Sequence, residues 1–232
     1  MGFRTTASVL TILALTTICA HAANSDDTGP VCTARKIAFC DVVDRPGLPR
    51  VLLIGDSVSV GYTLGVRQRL SNIANVHRIP QNGGSTKTGL RFVAQWLGAK
   101  RWDVIHVNFG LHDVQTVSPG VPQTDVATYE ENAKTIIVKL KSMAPHVIWA
   151  TTTPVPVDEE VSAYRGADVA AYNRVAIRVA RDEGVAIDDL YGLVLPQEMQ
   201  LQRPGNIHFT PHGYDVLADA VAASIAAQLR QK

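Results

Sequence analysis

The sequence predicts a three-layer α/β/α sandwich with a central, mostly five-stranded parallel sheet. Three observations carry that reading. Five short apolar runs, Val51–Ile54, Val76–Ile79, Val104–Phe109, Val147–Ala150 and Val185–Ile187, read as near-continuous strands, the pattern of strands covered on both faces. Longer segments with helical spacing lie between them, and such alternation argues for a parallel sheet with helices on both sides. The 232 residues suffice for one domain with a substantial core once any leader is removed.

The N-terminus, residues 1–22, reads as a secretory signal. Arg4 supplies the positive region, Val9 to Ala20 the apolar stretch, and Ala20-His21-Ala22 a small-x-small cleavage pattern. The apolar stretch is too short to span a bilayer, which takes about 20 residues, and Ile18 before Cys19 argues against a lipoprotein. The expected product begins near Ala23, secreted or periplasmic and without stable membrane insertion. Residues 23–49 are rich in Asp, Gly and Pro and read as an extended lead-in. After export Cys32 and Cys40 remain as a pair, and in an oxidising compartment their expected state is a disulfide closing a short loop.

The domain proper spans residues 50–232. A helix is expected from about 125 to 143, with Tyr129, Ala133, Ile136, Leu140 and Met143 on one face. Another is expected from about 168 to 183, with Tyr172, Ala176 and Val179 aligned. The last has the clearest start: Thr210 can cap it, Pro211 suits its first position, and Tyr214, Leu217, Val221, Ile225 and Leu229 form its apolar stripe.

In open parallel sheets ligands bind beyond the carboxyl ends of the strands. That directs attention to the loops Gly55–Ser59, Pro80–Thr88, Gly110–Gln115 and Thr151–Val157, and to the region after Asp188. Ser57 stands where the first strand gives way to a helix, whose free N–H groups favour developing negative charge. A plainer role is also available there, since Asp56 and Ser57 are both good helix caps. A serine needs an adjacent base to act as a nucleophile, and imidazole is the usual one. Of the seven histidines, His208 sits on a loop just before the last helix. His77, His106 and His146 fall in or beside strands, and His212 falls in the first helical turn. Asn82-Gly83-Gly84-Ser85 and Gly110-Leu111-His112-Asp113 bring further donors to the same edge, although Asn82-Gly83 is equally a turn signal.

Taken in order, these segments resemble the blocks of the SGNH (GDSL-type) hydrolase family. Gly55-Asp56-Ser57-Val58-Ser59 is similar to the first block, whose serine is the nucleophile. Gly83-Gly84 is similar to the second, whose glycine N–H contributes to the oxyanion hole. Gly110-Leu111-His112-Asp113 occupies the third, and His208 the last. The resemblance runs from Val51 to the C-terminus and implies the family's flavodoxin-like fold and a carboxylic ester hydrolase. It implies Ser57 and His208 as catalytic pair and an oxyanion hole from the N–H of Ser57, the N–H of Gly84 and the side chain of His112. Two departures stand out. His112 replaces the third-block asparagine, though a neutral imidazole can also donate. Gly205 stands where the family has the acid three residues before its histidine, with Asn206 next. Either a backbone carbonyl of Gly205 or Asn206 orients the imidazole, or Asp188 or Asp189 reaches it.

The expected substrate is a small-molecule or carbohydrate ester with a short acyl group. A noncatalytic or weakly active glycan-binding protein of the same fold is the alternative. Trp102, Trp149 and the Thr151–Pro156 segment either shape an acyl pocket or, for the tryptophans, cover the sheet. Near-balanced charge, 22 basic against 21 acidic side chains, gives no basic face for nucleic acid. No Gly-x-Gly-x-x-Gly or P-loop pattern and no metal-ligand spacing is present, so no cofactor or metal is expected. Oligomeric state stays open.

Overall fold

Strands β1 (Arg50–Ile54), β2 (Asn75–Arg78), β3 (Val104–Asn108), β6 (His146–Ala150) and β7 (Ala186–Asp188) form the central sheet, while β4 (Thr116–Ser118) and β5 (Val121–Pro122) make a separate short antiparallel pair. These assignments come from a computed structural model that describes residues 1–2, 37–118, 120–156 and 163–231. Cys32–Lys232 form one unit and Met1–Val31 another. Nearly all of the signal-like stretch lies outside the described residues, as does Cys32 and with it the expected Cys32–Cys40 bond.

The central sheet is parallel throughout, in the order β2-β1-β3-β6-β7. Successive strands run outward from β1 in opposite directions, so the switch point lies between β1 and β3, where such sheets open a crevice. The five strands predicted from apolar runs are these five, with ends shifted by at most one residue. The interior positions of the three central strands β1, β3 and β6 are buried, as the absence of alternation demands, while edge strands β2 and β7 keep partly exposed interior positions.

The helices are α1 (Ser57–Arg69), α2 (Thr86–Leu97), α3 (Leu111–Val114), α4 (Val126–Lys141), α5 (Gly166–Asp182), α6 (Leu190–Val194), α7 (Glu198–Leu201) and α8 (Pro211–Leu229). On one side α1 packs against α8, which lies on β3, β6 and β7; on the other, α2, α4 and α5 pack in sequence. Helix α4 buries Tyr129, Ala133, Ile136 and Leu140, the face its spacing predicts. Trp149 is fully buried and Trp102 nearly so. Both tryptophans belong to the core.

The lead-in is more structured than its composition suggests. Residues Ile37–Phe39 form a short 3-10 turn. Beyond it, the Asp44 carboxylate takes Arg50 Nε at 3.0 Å and His77 Nε2 at 2.6 Å. Arg45 and Asn75 exchange two hydrogen bonds, at 2.8 and 3.1 Å, and the Arg50 guanidinium lies 4.0 Å from the Trp102 ring centre. Segment 44–50 is thereby clamped to the amino ends of β1 and β2, opposite the crevice.

Candidate active site

Helix α1 starts at the end of β1 because Asp56 caps it: the Asp56 carboxylate accepts from the Val58 N–H at 2.9 Å. This settles which residue is the cap and leaves Ser57 at the first helical position. The Ser57 hydroxyl is therefore free of capping duty, and its N–H has no partner among the described residues.

The opposite partner arrives by way of helix packing. A Cβ built on Gly61 would strike the Tyr214 ring, and one built on Gly65 would lie 2.7 Å from Ala218 Cβ. Four residues separate the contacts on each helix, so α1 and α8 run parallel and close together. One turn earlier, the same register puts Ser57 beside the residues that precede α8. Thr210 caps α8 with its hydroxyl on the Gly213 N–H at 3.0 Å, and its own N–H reaches Leu201 O at 2.8 Å.

Residues 202–209 form a narrow hairpin closed by a Gln202–Phe209 bridge. Its tip is a turn from Arg203 to Asn206, with Asn206 N donating to Arg203 O at 3.0 Å. Pro204 at the second position and Gly205 at φ 60° in the third are the type II arrangement. The turn projects His208 back across α1. Its Nε2 lies 2.9 Å from Ser57 Oγ, across 151 positions of sequence.

Asn206 decides how that imidazole is held. Its Oδ1 accepts from the backbone N–H of His208 at 2.9 Å and lies 2.9 Å from His208 Nδ1. A backbone N–H can only donate, so the Asn206 atom facing it must be the oxygen. That oxygen can only accept, so Nδ1 carries the proton and Nε2 offers a lone pair to Ser57. The orienting group is thus a side-chain amide oxygen where a main-chain carbonyl had been one expectation.

Asp188 and Asp189 are engaged elsewhere. Asp188 lies 3.0 Å from Nε2 of the buried His106, and Asp189 caps α6 on the Gly192 N–H and bonds Thr151. Gly205 supplies the turn.

The two glycine loops meet at the corner. Gly83 N donates to Gly55 O at 2.9 Å, and a Cβ on Gly83 would sit 2.8 Å from that oxygen, an approach only glycine permits. The Gly84 N–H donates to Asn82 Oδ1 at 2.9 Å, an Asx turn that engages this donor. His112 lies half-buried in α3, its ring free of hydrogen bonds within the described residues. Its neighbour Asp113 is buried and receives the Thr86 N–H at 3.1 and 3.0 Å and the Thr86 hydroxyl at 2.6 Å. Asp113 therefore caps α2 from the third loop, and burial raises its carboxyl above the ordinary range. Ser85, the residue at the start of α2, makes no side-chain cap bond of its own.

Beneath the corner lies a cavity of about 10 Å³ whose lining includes Ser59, Tyr62, Asn108, Leu111, Thr152 and Thr153. Among the described residues no cluster of three or more His, Cys, Asp or Glu side chains is placed to hold a metal ion. No helix among them is long and apolar enough to cross a membrane.

The family model for GDSL-like lipases and acylhydrolases matches residues 53–216. The chain belongs to that family. It is a carboxylic ester hydrolase of the SGNH fold. Among solved structures, a lipase/acylhydrolase from Enterococcus faecalis superposes with a TM-score of 0.68 at 21% identity, over 80% of this chain and 99% of the other. The acetyl xylan esterase AlAXEase gives 0.66 at 18% identity, over 76% and 99%. Axe2, an acetylxylan esterase from Geobacillus stearothermophilus, gives 0.64 at 18%, over 79% and 97%. At these identities the likeness is one of fold. A comparison with curated protein sequences finds no match.

Proposed function

We propose that the protein is an exported serine esterase that removes short acyl groups, O-acetyl foremost, from a carbohydrate or a small alcohol. The observation that carries this reading is the chain Asn206 Oδ1, His208, Ser57 Oγ, with both contacts at 2.9 Å and the tautomer set for a base. Ser57 Oγ attacks the ester carbonyl carbon while His208 Nε2 takes its proton. The tetrahedral oxyanion collapses, the imidazolium protonates the departing alkoxide, and Ser57 is left acylated. Water then repeats the sequence and releases the acid.

The oxyanion meets the free N–H of Ser57 and the His112 imidazole. It also meets the Gly84 N–H, which leaves or shares Asn82 Oδ1 as the carbonyl arrives. A donor in such a hole is worth roughly 2.7–4 kcal/mol to the transition state.

After the signal-like residues 1–22 the sequence holds no long apolar segment of the sort that buries a fatty chain, which favours short acyl groups. A broader surface cleft of about 470 Å³, lined by Pro156, Leu195, Glu198, Met199 and Gly205 among others, opens beside the turn bearing Asn206. It offers space for a larger alcohol portion. The acetyl xylan esterases of like fold and the signal-like residues 1–22 support an extracellular acylated sugar.

An organophosphonate should label Ser57 stoichiometrically, and Ser57→Ala should abolish acetyl-ester hydrolysis, with rates declining as the acyl chain lengthens. A Ser57→Ala protein that hydrolyses acetyl esters at the parental rate removes the mechanism. Failure of the parental protein to take the label would favour the glycan-binding alternative.

A further inference from the structure

Arg78, the last residue of β2, has its side chain almost fully buried, with 8% exposure. Such a position is uncommon for an arginine, and Arg78 has no ion-pair partner among the described residues. The guanidinium is spent instead on the nucleophile corner: Nη1 donates to Ser59 Oγ at 2.7 Å, and Nη2 donates to Gly55 O at 3.0 Å and Asp56 O at 3.3 Å. Ser59 Oγ passes its own proton on to Asp56 O at 2.8 Å, and Val60 N reaches the same oxygen at 3.1 Å. Three donors therefore converge on one carbonyl. The Asp56–Ser57 peptide bond is trans, so the Asp56 carbonyl and the Ser57 N–H point in opposite directions. Fixing the former inward fixes the latter outward, toward the face where His208 meets Ser57. The Gly55 carbonyl, shared between Arg78 and Gly83 N, ties the second loop to the same anchor.

We propose that Arg78 is a positioning residue of the esterase site, holding the peptide unit before Ser57 so that its N–H is aimed at the developing oxyanion. The inference rests on the esterase reading above. Burial lowers the guanidinium to about 10, which leaves it charged at neutral pH. A fixed positive charge one peptide unit behind the oxyanion adds to the field that stabilises it. The group touches no reacting atom; it acts through the Ser57 amide.

The test compares parental protein, Arg78→Met and Arg78→Lys by p-nitrophenyl acetate hydrolysis and by organophosphonate labelling, with turnover counted per titratable site. In Arg78→Met, kcat should fall about 10- to 100-fold, a part of what losing a hole donor costs. KM should stay within about twofold, and the labelling rate should fall by the same factor as kcat. The acidic limb of the pH profile should not move, because His208 is untouched. Arg78→Lys keeps the charge without spanning two carbonyls and should fall in between. A purely structural role would lower the melting temperature and the fraction of titratable sites while leaving turnover per site parental; that result overturns the proposal. Should Arg78→Met not fold, Arg78→Lys and Ser59→Ala carry the same comparison, and parental turnover per site in both is equally fatal. An unlabelled parental protein sinks the esterase reading itself, whereas equal labelling of parent and variants sinks only the role of Arg78.

Discussion

At the scale of single residues, the site turns on Asn206. A carboxylate in the usual place would both orient the imidazole and stabilise the imidazolium; the amide oxygen orients it and adds little charge. Asn206→Ala should lower kcat by about tenfold or more with KM nearly unchanged, since the His208 ring loses its tautomer and its rotational restraint. Asn206→Asp keeps the acceptor and adds charge, so kcat should rise and the acidic limb of the kcat profile should move to higher pH. Steady-state kinetics across pH check both. An Asn206→Ala protein with parental kcat would show that the 2.9 Å contact is incidental. The sequence reading names Asn206 only through its backbone carbonyl, not its side chain, because the acid of the resembled motif belongs three residues before the histidine. Here the acceptor stands two before it, brought into line by a turn. The Pro204-Gly205 pair was the available signal. Arg78 and Asp113 carried no local signal, since Arg78 lies 19 to 23 positions from Ser59, Asp56 and Gly55, and Asp113 lies 27 from Thr86.

At the scale of elements, the site depends on the approach of α1 to α8. Gly61 and Gly65 present no side chain where Tyr214 and Ala218 press in, so the helices lie near enough for His208 to reach Ser57. Gly65→Val should force them apart, costing about 1–3 kcal/mol by overpacking. The cost in activity should exceed the loss of folded protein, because the 2.9 Å contact stretches before the core fails. Ala218→Gly, which removes the methyl on the facing helix, should restore part of both. Thermal melts read beside turnover per titrated site make the comparison; a Gly65→Val protein with lowered stability and parental turnover would detach helix spacing from catalysis. Strand positions and the Thr210-Pro211 start of α8 were legible because apolar runs and caps are local signals. The closeness of α1 was not, since a small residue on a helix face reads equally well as solvent-exposed.

At the scale of the whole molecule, the end of the sheet opposite the crevice bears on pH dependence. Burial is the main influence that lowers the His77 imidazole below its ordinary 6.5, with the Asp44 contact pulling the other way and Arg50 and Arg67 reinforcing burial. The unfolded chain therefore takes up this proton before the folded one does. The stability contributed by neutral His77 is present above about 6.5 and is lost as pH falls below it. For Asp44, burial pushes the carboxyl up, but His77 and Arg50 together outweigh it and leave it below 3.8. Its contribution persists above that value and is lost as pH falls through it. Melting temperature should be level above about pH 7, decline once pH drops below about 6.5, and decline again once it falls below about 3.8. In His77→Gln the first decline should be shallower. Identical profiles for the two proteins between about pH 7 and 5 would remove His77 from this account.

The sequence alone determined the parallel sheet, its five strands, the order of the loops and the candidacy of Ser57 and His208. Those features follow from apolar periodicity, caps and turn residues, each readable within a dozen or so positions. Tertiary structure decided the rest: that Nε2 meets Oγ, that an amide oxygen replaces the missing acid, that Asp188 and Asp189 serve His106 and α6, and that Arg78 lies under the nucleophile. The physical reason is the same in each case. Orientation and hydrogen-bond choice depend on which distant groups packing brings within about 3 Å, and one chain's residue types leave those pairings open until the helices close on the sheet.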